Sequence, residues 1–96
     1  MASLLQNIEL LEQRSELLKG MGHPIRLSIV QLLTQNNQLS VTEVYTKLDI
    51  EQAVASHHLR IMKNCGLVTA TKDGKNILYA AAHPNIQAIY KLLASM

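Results

Sequence analysis

The sequence has no tryptophan and no phenylalanine, and only three tyrosines. Any core must therefore be aliphatic, built from Leu, Ile, Val and Met. Cys65 is the one cysteine, which excludes an intrachain disulfide and fits a reducing compartment. No stretch approaches the ~20 consecutive apolar residues of a membrane span. The opening run Met1-Ala2-Ser3-Leu4-Leu5-Gln6 has neither a basic n-region nor a long apolar segment, so no secretory signal is expected. These absences lead to the expectation of a cytoplasmic chain with no membrane partner. A strong charge of one sign is also missing, the formal net charge being only +2.

The chain has 96 residues, which predicts a single domain over 1–96. Hydrophobic residues make up 48% of it, enough for a small core. Chains this short bury a modest share of their surface and often gain stability by association. The placement of charge says more than its sum. Residues 1–48 carry four Lys/Arg and four Asp/Glu, whereas residues 49–96 carry five and three. Within 60–76, Arg60, Lys63, Lys72 and Lys75 stand against Asp73 alone. A local basic surface on a near-neutral protein suits a polyanion partner. For charge alone, a solvated charged face is the other reading.

Leu4, Ile8, Leu11 and Leu18 recur at helical spacing, with Ser15 in the same row and Glu9, Glu12, Gln13 and Glu16 on other faces. This predicts an amphipathic first helix of roughly four turns, ended by Gly20-Met21-Gly22 through glycine's ease as a helix breaker. Pro24 suits the first turn of a second helix, with His23 at its N-cap. Apolar residues on several faces of 25–33 place that helix at the buried centre. After the polar loop Gln35-Asn36-Asn37-Gln38, Ser40-Val41-Thr42-Glu43 has the spacing of a capping box opening a third helix over 42–48. Asp49-Ile50-Glu51-Gln52 offers a second cap of the same spacing, opening a fourth helix that runs to Asn64 and stops at Gly66. Two strands, 67–71 and 77–80, flank the hairpin signal Asp73-Gly74. Pro84 opens a last helix, with Ile86, Ile89, Tyr90 and Leu93 on one side.

The fourth helix divides its faces. Ala55, Leu59 and Met62 fall on a core row. Ser56, His57, Arg60 and Lys63 fall on the outward row, with Gln52 one turn earlier, and no carboxylate interrupts them. A helix of about 13 residues is roughly 20 Å long and fits a major groove. Arg and Gln can read base edges, while Lys, Ser and His can hold phosphates. The short capped helix before it and the basic hairpin after it turn an ordinary polar face into a candidate DNA-reading face.

Gly22-His23-Pro24-Ile25-Arg26-Leu27-Ser28-Ile29-Val30-Gln31-Leu32-Leu33 resembles the second helix of the arsenic-repressor (ArsR/SmtB) family. The run from Ala55 through His57, His58, Arg60 and Lys63 to Val68 resembles its recognition helix and the start of its wing, and Asp73-Gly74-Lys75 followed by Tyr79 fits the wing. The likeness runs in continuous order over residues 17–82. It implies a mainly α, winged helix-turn-helix fold: four helices, two strands and a final helix. Residues 40–64 would form the helix-turn-helix, 67–82 the wing, and 1–19 with 84–96 the dimerisation helices. It further implies a homodimeric repressor of transcription, bound to double-stranded DNA and released by an unidentified effector. The recognition helix would be 51–64 and the wing tip 72–76. The expected DNA contacts are Ser40, Thr42, Gln52, Ser56, His57, His58, Arg60, Lys63, Lys72 and Lys75. The expected dimer contacts are Leu4, Ile8, Leu11, Leu18, Ile86, Ile89 and Leu93, whose apolar surface exceeds what a core over 23–82 can cover.

The sequence departs from the family where ligands are sensed. Metal-sensing members place cysteines near the start of the third helix, where this chain has Ser40 and Thr42. Members that bind zinc on the last helix use Asp and His, and the matching positions are His83, Asn85 and Met96. Thiol-switch members use two cysteines, and Cys65 stands alone. No metal site and no cofactor are therefore expected. Asp49-Ile50-Glu51 also replaces the family's usual Gly-x-Ser entry to the fourth helix. His57 is read as a DNA contact, with a plain surface residue as the alternative. His58, beside the core row, fits either a packed histidine or a phosphate ligand. His23 is read as a helix-start residue, His83 as a surface residue before Pro84 with metal binding as the alternative, Cys65 as packing, and Tyr79 as packing in the wing, where a tyrosine can also touch a phosphate. A winged-helix protein-interaction module without specific DNA binding is the alternative function, and it should show an apolar patch on the fourth helix. No catalytic triad, phosphate loop or carboxylate pair can be assembled, so no enzyme is expected.

Overall fold

The computed structural model describes residues 7–96. Five helices and three strands follow one another: α1 (Ile8–Met21), α2 (Pro24–Gln35), β1 (Leu39–Ser40), α3 (Val41–Leu48), α4 (Gln52–Asn64), β2 (Val68–Asp73), β3 (Asn76–Ala81) and α5 (Pro84–Ala94). Leu4 lies outside the described residues. The core joins α2, α3, α4 and the inner ends of the strands. Its largest fully buried side chains are Ile29, Val30, Leu33, Leu39, Val44, Leu59, Met62 and Leu67. All are aliphatic, as the lack of large aromatics requires.

Two His-Pro pairs start helices in the same way. His23 and His83 are both in extended conformation, the region favoured before proline, and Pro24 and Pro84 take the first helical positions. In each case the ring Nδ1 accepts from the backbone N–H two residues on, at 3.1 Å from Ile25 and 3.0 Å from Asn85. Histidine thus does the capping usually done by Ser or Asp.

α1 ends at Met21, within the Gly20-Met21-Gly22 run expected to end it. Gly20 does not break the helix but lies inside it and is buried. A Cβ built there would sit 2.5 Å from the Cys65 sulfur and 2.8 Å from a Leu67 methyl, so this glycine permits the helix to press against the junction of α4 and β2. Gly22 caps the helix with an ordinary negative φ of −77°.

Between α3 and α4 the second predicted capping box is absent. Asp49 is the C-cap of α3, in the left-handed region at φ 53° and ψ 51°, and Glu51 is the N-cap of α4 without a side-chain cap bond. Aspartate is among the few non-glycine residues that visit this region readily. It therefore makes a turn that most side chains resist. The first box is present as read: Ser40 Oγ accepts from Glu43 N, and Glu43 Oε1 accepts from Ser40 N, each at 3.1 Å.

The sheet is antiparallel in the order β1-β3-β2. Two-residue β1, unforeseen in the sequence, pairs Leu39 with Tyr79 and Ser40 with Leu78. This pins the wing's base to the start of the helix-turn-helix. α1 packs only through its C-terminal part, where Leu17 and Met21 meet the core. The radius of gyration, 14.4 Å, exceeds the roughly 12.5 Å of a compact domain of this length, as a projecting helix requires. No described helix is long and apolar enough to cross a membrane.

Candidate nucleic-acid interface

α4 presents the two faces its spacing predicts. Ala55, Leu59 and Met62 are buried, and Gln52, His57, Arg60 and Lys63 are exposed. Ser56 is half-buried at the edge of that face. A 13-residue helix with four hydrogen-bonding side chains along one exposed side can present donors to base edges over about 20 Å. None of Arg60, Lys63, Lys72 and Lys75 is in an ion pair: among the described residues the one such pair is Lys19–Glu16, on α1. Their charge is therefore free to meet an external anion.

The wing tip lies one residue later than its sequence signal. Asp73 pairs with Asn76, leaving Gly74 and Lys75 as the loop. Gly74 is at φ +60° while Lys75 is not in the positive region, which is the backbone pattern of a type II′ hairpin. Lys72 and Lys75 are exposed on the hairpin. A shallow groove of about 220 Å³ joins this tip to the start of α3 and is lined by Ser40, Val41, Thr42, Lys75, Asn76 and Ile77. Three expected contacts, Ser40, Thr42 and Lys75, therefore border one depression. The Ser40 oxygen already accepts in the capping box, so its hydroxyl proton is what remains for a phosphate.

His58 departs from the expected contact set. It is 7% exposed and faces inward, three residues after Ala55 on the core row. Arg26 Nη1 donates to its Nδ1 at 3.3 Å, and Arg26 Nε donates to the Gly20 carbonyl at the end of α1. The His23 ring lies 4.5 Å from the His58 ring and the His57 ring 5.2 Å from it, centroid to centroid. Burial first, then the positive neighbours His23, Arg26 and His57, hold His58 below its usual pKa of 6.5. It is a packed residue, not an outward phosphate ligand. Arg26 is the residue that sequence reasoning missed. A guanidinium in the first turn of the central helix was the signal that could have found it, because a half-buried cation needs partners.

The apolar faces of α1 and α5 remain largely uncovered. Ile8, Leu11, Leu18 and Leu93 are exposed, as are the neighbouring Leu10 and Leu92, the last at 70%. Ile89 is half-buried. Ile86 is only 4% exposed, so its side chain belongs to the protomer's own core and is removed from the expected dimer contacts. Cys65 is half-buried, with its thiol directed at the Met62 carbonyl at 3.5 Å.

The sequence profile of bacterial regulatory proteins of the arsR family matches residues 23–70, from the cap of α2 into β2. An uncharacterised HTH-type transcriptional regulator of Methanocaldococcus jannaschii is 35% identical over 86 residues, covering 90% of this chain and 97% of its own. The transcriptional repressor PagR of Bacillus anthracis is 37% identical over 83 residues, covering 86% of this chain and 83% of its own. The PagR crystal structure superposes with a TM-score of 0.83, covering 90% of this chain and 98% of that one. A homodimeric winged helix-turn-helix DNA-binding domain of Mycobacterium bovis superposes with a TM-score of 0.84 at 25% identity, covering 99% of this chain and 87% of that one.

Proposed function

Because the chain belongs to the arsR family of bacterial regulatory proteins, we propose that it is a homodimeric, sequence-specific DNA-binding repressor of transcription and not an enzyme. The observation that carries this reading is the exposed face of α4, where Gln52, His57, Arg60 and Lys63 stand together without a carboxylate or an ion-pair partner. α4 lies in the major groove, with Arg60 and Gln52 toward base edges and His57, Ser56 and Lys63 toward phosphates. Lys72 and Lys75 follow the adjacent backbone, and Ser40 and Thr42 add contacts at the start of α3, where the helix dipole favours an anion. Such a protein works in the cytoplasm, where its DNA is.

The dimer forms through α1 and α5. A 14-residue helix is marginal by itself in water, and α1 leaves Ile8, Leu10, Leu11 and Leu18 uncovered. Leu92 and Leu93 add to the same apolar excess on α5. A second copy bringing the same faces would cover them. The experiment is selection of bound duplexes from random DNA, followed by titration of the enriched and a scrambled sequence. Enrichment of a two-fold motif is expected, with half-sites about one helical turn or a multiple of it apart. Equal, weak binding to both duplexes would instead favour a protein-interaction module.

A further inference from the structure

We propose that His58 is a positioning residue for DNA reading, holding α4 through Arg26 to the end of α1, and that it does so only as a neutral imidazole. This rests on the reading that α4 enters DNA. The contact has a defined polarity. Arg26 Nη1 has only hydrogens to give, so His58 Nδ1 must accept, which puts the ring proton on Nε2. A second proton would have to go on Nδ1. It would turn acceptor into donor, facing the guanidinium at 3.3 Å, and place two cations in contact.

The rest of the cluster offers no relief. The ionisable groups acting on the His58 ring are His23 and Arg26 from α2 and His57 from α4 itself, and no carboxylate is among them. From α1, the Gly20 carbonyl is already taken by Arg26 Nε. No ionisable group of α3 or of the wing acts on the ring. His23 also needs its Nδ1 unprotonated, to accept from Ile25 N at the start of α2. A proton on His58 would therefore add a second cation beside Arg26 at the point where α1, α2 and α4 meet. The nearest escape is for α4 to move away from Arg26, carrying His57 and Arg60 out of register with a groove.

The sign follows from the lowered folded-state value. Above the usual imidazole value of 6.5 both folded and unfolded chains hold the ring neutral, and the contact is complete. Below it the unfolded or displaced form binds the proton first, so the seated form loses stability as pH falls toward the folded value. A positive charge added on the exposed face of α4 would act in the opposite direction, because it strengthens attraction to the phosphates. The two effects separate by sequence dependence: loss of seating weakens the operator specifically, and an added surface charge strengthens any DNA.

Two measurements test this. The histidine ring resonances of the full chain are followed by NMR as a function of pH, without DNA. His58 is expected to titrate below the ordinary imidazole value of 6.5, and titration at or above that value overturns the proposal. Next, the ratio of operator to random-DNA affinity is measured for wild type, His58→Gln and His57→Gln from about pH 7.5 to about pH 5.5. A glutamine at 58 keeps a neutral oxygen for Arg26. Wild type and His57→Gln should lose up to about tenfold in that ratio for each protomer, or about a hundredfold for a dimer on two half-sites, the ceiling set by one imidazole of usual value 6.5 in each chain. His58→Gln should stay within about twofold, because a glutamine gains no proton over this range. Equal slopes in wild type and His58→Gln overturn the positioning role. If no protein prefers the operator at neutral pH, the DNA reading itself fails, and the ring titration still decides whether the Arg26–His58 contact requires a neutral imidazole.

Discussion

Gly20 in α1 and Cys65 at the end of α4 are so close that a methyl on the first would lie 2.5 Å from the sulfur of the second. Two effects compete in a Gly20→Ala variant. Alanine favours the helix by up to about 1 kcal/mol, whereas overpacking a tight contact costs about 1–3 kcal/mol. The Leu67 methyl at 2.8 Å blocks the easy way out, so overpacking wins and the variant is destabilised. Cys65→Ala removes the sulfur and should recover part of the loss in the double variant. Urea midpoints of the four proteins of that cycle check this, and additive effects would contradict it.

Two aliphatic positions on α5 should respond in opposite ways. Ile86 is 4% exposed and lies in the protomer core, so Ile86→Ala should cost about 2–5 kcal/mol of stability. Leu93 is 47% exposed and is proposed to meet the partner copy, so Leu93→Glu should leave the protomer fold and split the dimer. Sedimentation at low micromolar concentration, with circular dichroism on the same samples, distinguishes the two. A Leu93→Glu protein that remains dimeric would remove α5 from the interface.

What could be read from the sequence was what short-range chemistry decides. The Ser40–Glu43 box, the Pro24 and Pro84 helix starts and the core row Ala55, Leu59, Met62 each depend on residues within two turns of one another. β1 was illegible because two residues carry no strand pattern, and Leu39 becomes a strand only by meeting Tyr79 across the chain. Asp49 is ambiguous in sequence because aspartate serves equally before a helix and after one. The geometry of α3 decides for the left-handed cap. The sequence puts His58 on the edge of the DNA face, although its spacing from Ala55 and Met62 also fits the core row. Its inward turn depends on Arg26, 32 residues earlier.

Asp49 gives a test of the turn itself. At φ 53° a β-branched side chain is strained, and Asp49→Val should lose about 1–3 kcal/mol. Asp49→Gly removes the steric cost of the left-handed region but adds chain entropy to the unfolded state, two terms of about 1 kcal/mol each and opposite sign. It should therefore change stability little and leave operator binding intact. Thermal melts with operator titrations check both variants. A Gly variant as damaged as the Val variant would mean that the aspartate side chain, not the backbone angle, matters there.

Arg60 and Lys75 should fail in different ways when removed. Arg60 stands on the exposed face of α4, proposed to enter the major groove, whereas Lys75 is the second loop residue of the hairpin and reaches for the backbone. A phosphate contact carries no sequence information, so Lys75→Ala should weaken operator and random DNA alike. It should also flatten the dependence of log affinity on log salt by about 0.9 for each phosphate that a protomer no longer neutralises. A base contact costs about 1–3 kcal/mol and relaxes preference at one position of each half-site. Arg60→Ala should therefore lower operator affinity strongly and random-DNA affinity only by its share of charge. Binding of both variants to both duplexes at several salt concentrations separates the cases. Equal losses on the two duplexes for Arg60→Ala would make Arg60 a phosphate clamp and rotate the proposed placement of α4. No loss in either variant would move the interface away from α4 and the wing altogether.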